Sequence, residues 1–145
     1  MIMLPYRVAL DSNFLILPLT LRLDIFSEIE KLLCGRVEFL VVSPVRKELE
    51  KLSSKSTEIG RRASFALKLL DRCIYVKLDP KKRKTVDEAL VEFARQNKVI
   101  VATSDMPLRK KLRDINVPVI YVRDYSQLEL EGFPIKNGDQ LDTSA

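Results

Sequence analysis

Short apolar runs alternate along this chain with stretches in which apolar residues return every three or four positions. The two periods predict β-strands alternating with α-helices. Arg7 to Leu10 is the first run and closes on Asp11, followed by Ser12 and Asn13, residues suited to a turn or a helix cap. Phe14 to Leu17 precedes Pro18, which predicts a brief helical turn or loop. Leu21, Ile25, Ile29 and Leu32 then recur at helical spacing, and Gly35 is the stop signal.

Phe39 to Val42 reads as the second strand, with Ser43 as an N-cap and Pro44 at the first helical position. Val45, Leu49 and Leu52 give the next helix its face, and Glu48 lies about one turn inside it. Ser53 to Gly60 is polar and reads as a mobile connection. Ala63, Ala66, Leu67 and Leu70 mark a further helix, and Ile74 to Val76 the third strand. Beyond the basic loop Asp79 to Lys84, a helix is expected from about Thr85 to near Asn97, a strand at Val99 to Ala102 and a helix from Met106 to Ile115. Asn116 is its stop, and Val117 to Val122 is the last convincing strand.

The alternation predicts an α/β fold, a three-layer α/β/α sandwich around a mainly parallel sheet of five strands covered on both faces. Asp124 to Gly132 mixes polar and apolar residues and is expected to cross the domain edge. With 145 residues the chain suits one domain, placed at residues 1–133, with 134–145 as a flexible C-terminal tail.

Composition narrows the chemistry. Cys34 and Cys73 stand apart in apolar helical patterns and there is no histidine, which excludes zinc bound by the usual Cys and His sets and any Ser-His-Asp or Cys-His nucleophile. It equally excludes metal-free nucleases that work through two histidines. Hydrolytic chemistry must then rest on carboxylates, lysine or a bound ion. No apolar run approaches the roughly 20 residues that cross a bilayer, and no secretory leader is visible, so the expectation is a cytoplasmic protein without membrane contact. The charge, 25 Lys and Arg against 20 Asp and Glu, gives +5 and is compatible with an anionic partner.

In an open parallel sheet, ligands bind where strands end at the carboxyl edge. Asp11 ends the first strand, Asp105 follows the fourth after a short polar turn, and Glu48 and Asp87 lie in the first turns of helices that begin at this edge. Gathering four carboxylates costs repulsion and lost solvation unless cations or raised pKa values offset it. Mg²⁺ or Mn²⁺, hard ions that prefer oxygen ligands, suit such a set and could hold phosphate oxygens, activate water and stabilise a leaving alkoxide. Each acid also has a local explanation as a turn or cap residue or as a favourable charge at a helix start. Two basic runs flank the same rim. Lys81, Lys82, Arg83 and Lys84 form one; Arg109, Lys110, Lys111 and Arg113 form the other. Either can be a solvated surface, or can hold a phosphate backbone beside a metal centre.

Four blocks in order, VALDSNFLI, SPVRKELEKL, TVDEAL and VIVATSDMPLRKKL, resemble those of the PIN-domain ribonucleases over about Val8 to Val122. DIFSEIEKLL, PVIYVRDYSQLELEG and the basic last helix resemble the archaeal and eukaryotic branch that processes ribosomal RNA. The resemblance implies a metal-dependent endoribonuclease with a PIN-like fold, cutting single-stranded or locally unpaired RNA to leave a 5′-phosphate and a 3′-hydroxyl. It implies Asp11, Asp87 and Asp105 as the principal ligands of Mg²⁺ or Mn²⁺, and Glu48 as a direct or water-mediated ligand that orients the attacking water. Ser12, Asn13, Thr103 and Ser104 match the small polar residues supporting such a site, and Glu88 is a supporting candidate. Two other readings fit the same residues: a toxin-like PIN ribonuclease held by an antitoxin, and an RNA-binding ribosome-assembly protein that makes no cut. Association with a preribosomal assembly, or with a second copy as a homodimer, is compatible with all of them.

Overall fold

The computed structural model describes residues 4–21, 23–80, 85–124 and 126–134. The basic run Lys81 to Lys84 and residues 135–145 of the expected tail therefore lie outside the described residues. The order is β1 (Tyr6–Leu10), α1 (Ser12–Leu21), α2 (Ile25–Leu33), β2 (Val37–Val42), α3 (Ser43–Ser53), α4 (Glu58–Leu69), β3 (Ile74–Val76), α5 (Val86–Gln96), β4 (Ile100–Ala102), α6 (Met106–Asp114), β5 (Val119–Arg123) and β6 (Gln127–Glu131).

One sheet runs β3-β2-β1-β4-β5-β6. Its first five strands are parallel, as their apolar sequences predict for strands covered on both faces. The helices cover the sheet as a three-layer α/β sandwich, with α1, α3 and α4 packed together and α5 against α6. Val8 to Leu10, Phe39 to Val42 and Ile100 to Ala102 are buried, and Phe26 meets Phe39 edge to face with ring centroids 4.7 Å apart. The chain leaves β1 in one direction through β2 and β3 and returns past it to β4 and β5. The ends of β1 and β4 thus flank the point where strand order reverses, where an open α/β sheet forms its crevice.

A sixth strand joins the five expected. The segment placed at the domain edge folds back as β6, antiparallel to β5, with Val119 opposite Glu131 and Arg123 opposite Gln127. Asp124 makes the reversal at φ 52. Tyr121 donates a 2.8 Å hydrogen bond to Glu129 and Arg123 donates one of 2.6 Å to the same carboxylate, so the polar positions of QLELE have partners that a single-segment pattern does not reveal.

Several boundaries differ from the sequence reading for local reasons. The expected brief turn at Phe14 to Leu17 is a ten-residue helix that continues through Pro18; Phe14 and Leu15, fully buried, fix its start against the core. Leu21 ends α1 rather than opening the next helix, because Asp24 caps α2 with its carboxylate. The left-handed residue after α2 is Cys34, φ 51, one place before Gly35. Ser43 does not cap α3 with its side chain; its hydroxyl accepts the Leu78 N–H at 3.0 Å and ties the end of β3 to the start of α3. Asn116 does stop α6: at φ 61 it lets the Val117 N–H reach the Leu112 carbonyl at 2.9 Å, while its own N–H reaches Arg113 at 3.0 Å.

The connection between α3 and α4 is shorter than expected, and Gly60 lies inside α4. A Cβ there would stand 1.8 Å from the Lys55 carbonyl oxygen, a backbone atom that cannot step aside. Glycine is what lets the first turn of α4 pass so close to the connection that leads into it. Gly60→Ala gains helix propensity but forces the two backbones apart, so it should destabilise the fold by roughly 3 kcal/mol. Urea unfolding will show a lower midpoint; an unchanged or raised midpoint would contradict the close approach.

Candidate active site

The site is assembled from strand ends and helix starts. Asp11 follows β1 and is 3% exposed. The parallel pairing continues past the strands, because the Asp11 N–H bonds the Ala102 carbonyl at 2.9 Å and the Thr103 N–H bonds Ile120 at 3.0 Å. One Asp11 oxygen accepts the Ser12 N–H at 2.8 Å, and the other accepts the Thr103 hydroxyl at 2.7 Å. That hydroxyl has one proton. The shorter contact to Asp11 takes it, leaving Asn13 Oδ1 at 3.4 Å as a near neighbour. As an acceptor, Thr103 Oγ1 receives the Asp105 N–H at 3.1 Å. Asn13 Oδ1 receives the Ser104 N–H at 3.0 Å, so the tip of β1 also positions the loop after β4.

Glu48 is reached from the other side. The Ser12 hydroxyl donates to its carboxylate while the Ser12 N–H holds Asp11, so one residue at the start of α1 sets the spacing of two acids. Asp105 caps α6, one oxygen accepting the Leu108 N–H at 3.2 Å. Its local role is therefore real and uses that oxygen only. Asp87 differs: α5 is capped by Thr85, whose hydroxyl accepts the Glu88 N–H at 3.1 Å. Capping does not account for Asp87, which sits one residue into the helix and half-buried.

Electrostatics brings the four acids into one group. Burial pushes the Asp11 carboxyl up to about 6; its bonds from Thr103 and Ser12 oppose the rise, and the charges of Asp87 and Glu48 add to it. Asp87 is raised first by burial and then by the Asp105 charge, with Lys111 opposing, Glu48 adding and a hydrogen bond to Asp105 reinforcing the rise. Like charges brought together in a partly desolvated place favour the neutral form of Asp87. α3 and α5 touch, consistent with the influence of Glu48 on Asp87.

The donor chemistry suits a hard divalent cation, since every group is an oxygen and the charges repel. Among the described residues no three acidic or cysteine side chains stand in an arrangement that encloses an ion. Magnesium commonly binds through one or two carboxylates, with water and phosphate completing its shell, and the pairs Asp11–Glu48 and Asp87–Asp105 have that character.

Other expected residues are distributed less evenly. Glu88 is exposed, with its N–H given to the α5 cap, and it is not among the groups that shift Asp11 or Asp87. Thr85 is expected from the sequence only as the start of the helix; its capping role is the addition, and Thr85-Val-Asp-Glu88 has the spacing of a capping box. On α6, Lys111 is the cation acting on Asp87, and Lys110 and Arg113 are exposed. Arg109 is committed elsewhere: its guanidinium lies 3.4 Å over the Tyr121 ring and its Nε is 3.3 Å from Glu131.

The raised Asp11 carboxyl has a stability consequence. Between its ordinary value of 3.8 and about 6 the folded chain holds a proton that the unfolded chain has released, so this contribution to stability falls as pH rises through that window. Asp11→Asn removes the titration. In EDTA the variant should match wild type near pH 4 and exceed it by up to about 3 kcal/mol at pH 7. Urea unfolding at several pH values measures the difference, and a wild type that gains on the variant as pH rises would contradict the assignment.

A family model described as a PIN like domain matches residues 8–125. Ribonuclease VapC4 of Methanocaldococcus jannaschii is 35% identical over 129 residues, covering 88% of this chain and 98% of its own length. The rRNA-processing protein FCF1 of Saccharomyces cerevisiae is 31% identical over 121 residues, which cover 81% of this chain but 60% of the yeast protein. The solved structure of the PIN domain endonuclease Utp24 superimposes with a TM-score of 0.74 at 26% identity, over 90% of this chain and 94% of that one. The matched span holds Asp11, Glu48, Asp87 and Asp105 with the loops and helix starts that carry them, and this chain belongs to the PIN-like domain family.

Proposed function

We propose that this protein is a divalent-metal-dependent endoribonuclease acting on single-stranded or locally unpaired RNA, with ribosomal RNA the foremost substrate class. The observation that carries the reading is the hydrogen-bonded path Glu48, Ser12, Asp11, Thr103, Asp105, beside which Asp87 lies within the electrostatic influence of Asp105 and Glu48. Nuclease function at the family level is supported by the matched PIN relatives. The similarity to FCF1 and Utp24 favours RNA processing, and contact with a preribosomal assembly, within this reading.

Asp11, Asp87 and Asp105 would hold Mg²⁺ or Mn²⁺, with Glu48 binding directly or through water. When bound, the ion supplies positive charge to the phosphate and acidifies water. The protein's own part is to hold these oxygens in place. Ser12 keeps Glu48 and Asp11 at a fixed separation, Thr103 links Asp11 to Asp105, and Asn13 steadies the β4 loop. Glu48, alone of the four on α3, is placed to orient an attacking water. Lys111 beside Asp87 adds a positive charge for the phosphate. Neither cysteine is in a disulfide, which fits a cytoplasmic location, and no helix among the described residues is long and apolar enough to cross a membrane. A homodimer is compatible with this chemistry.

A toxin-like ribonuclease held by an inhibitor is a second reading, favoured by the nearly end-to-end match to ribonuclease VapC4. Recovery from its native cells with preribosomal RNA and no inhibitory protein decides against it.

The chemistry is tested by incubating structured ribosomal-RNA fragments and unpaired RNA with Mg²⁺ or Mn²⁺. Asp11→Asn, Asp87→Asn and Asp105→Asn should each lower the cleavage rate at least about 100-fold, and Ser12→Ala about 10- to 100-fold by releasing Glu48. Product ends should be 5′-phosphate and 3′-hydroxyl. Equal cleavage by wild type and the Asp variants would remove the site; metal-independent RNA binding without cleavage would favour an assembly protein instead.

A further inference from the structure

Met106, Arg109, Lys110 and Arg113 recur at i, i+3, i+4 and i+7 and therefore share one face of α6. With Pro107 they line an open groove of about 410 Å³ along the helix that Asp105 caps. Its polar and apolar parts are arranged in sequence. Met106 leads, 66% exposed; Lys110 and Arg113 follow at successive turns, both exposed.

The start of this groove is built on a support. Tyr121 carries the Arg109 guanidinium 3.4 Å above its ring, Glu131 anchors the Arg109 Nε at 3.3 Å, and an Arg109 terminal nitrogen contacts the Met106 sulfur at 3.7 Å. Tyr121 is in turn bonded to Glu129, which Arg123 also holds. The β5–β6 hairpin thus fixes a flat cation and a polarizable thioether in adjacent positions. Surfaces of this kind take the faces of unstacked bases. Lys110 and Arg113 lack any acidic partner among the described residues, so their charge is available to an anion.

The order of these groups matches a nucleic-acid strand better than a folded protein partner: a place for a base beside the reacting centre, then cations one turn apart for the backbone. We propose that this outer face of α6 binds the single-stranded RNA segment flanking the cut, with a base on Met106 and Arg109 and phosphates on Lys110 and Arg113. The proposal rests on the ribonuclease reading and adds the route by which the substrate leaves the carboxylates. It divides α6 by function: Lys111 faces the reacting phosphate, while Lys110 and Arg113 face the flanking chain.

The test uses the full chain in EDTA, which blocks cutting, and a fluorescein-labelled unpaired 12-nucleotide RNA followed by anisotropy over a salt series. The double variant Lys110→Gln with Arg113→Gln should bind at least about 10-fold more weakly and lower the slope of log affinity against log salt by about 1.4, the value for two lost single-strand phosphate contacts. Met106→Ala should weaken binding about 2- to 10-fold without changing that slope. Lys68→Gln, a neutralisation of an exposed lysine on α4, is the charge control, and thermal unfolding verifies that each variant is folded. Wild-type affinity and slope in the double variant, or an effect no larger than that of the control, overturns the groove and leaves cleavage by wild type with Mg²⁺ as independent support for the nuclease. Absence of both RNA binding and RNA cleavage in wild type overturns the nuclease reading itself.

Discussion

The hydrogen bond from the Thr103 hydroxyl to the Asp11 carboxylate, 2.7 Å long and buried, joins the ends of the two strands at which the sheet reverses its order. A buried carboxylate is costly unless donors meet it. Here one donor comes from β4's trailing loop and the other from the first residue of α1. The same threonine oxygen then receives the Asp105 backbone N–H, so Asp105 reaches its cap position over α6 with a direction set by β1. Remove that hydroxyl and Asp11 loses a donor while Asp105 loses an acceptor. The positions of the acids are thus consequences of how the central strands are joined.

This arrangement opposes stability and function. Asp11 and Asp87 both sit above the ordinary carboxylate range, chiefly through burial, with neighbouring acids adding to it. A fold optimised only for stability would disperse them or replace one with an amide. Their presence in one place makes chemical sense if a cation shares the rim, because its attraction for the ionised forms would offset the burial and repulsion that now raise the pKa values. The two hydrogen-bonded residues Ser12 and Thr103 keep the repelling groups from turning outward to solvent, the cheaper arrangement for the protein alone.

Much of this was readable from the sequence. Asp11 ends an apolar run and Asp105 follows another after a two-residue polar turn, and parallel topology alone sends such residues to one edge; their placement needs only the strand pattern. Glu48 and Asp87 follow from being early in helices that start at that edge. What periodicity could not supply was the choice of partners. Ser43 has a cap residue's identity and position, yet its hydroxyl serves Leu78 from another strand. Thr85, not an acid, caps α5, which separates Asp87 from the explanation that local preference offered. Pro18 reads as a break, but burial of the preceding Phe14 and Leu15 outweighs the hydrogen bond that proline forfeits. These are tertiary choices, and single-segment patterns do not contain them.

β6 shows how a missed element changes the meaning of residues elsewhere. Four basic side chains on one short helix look equivalent in sequence, and a uniform cationic surface is the natural inference. Once β6 pairs with β5, Glu131 and Tyr121 take up Arg109, and the remaining charges divide by direction. Lys111 acts on Asp87, whereas Lys110 and Arg113 border the open groove. Fixing one arginine also removes much of the rotamer freedom that a long exposed side chain would lose on binding RNA, so a base would meet a surface already in place. The acidic pattern in β6, Glu129 and Glu131, holds Arg123 and Arg109 in place, and on the proposed RNA route its negative charge would serve to organise the cations beside it. Acidic residues within a basic surface are usually counted against nucleic-acid binding; under the proposed route their geometry would make them part of its preparation.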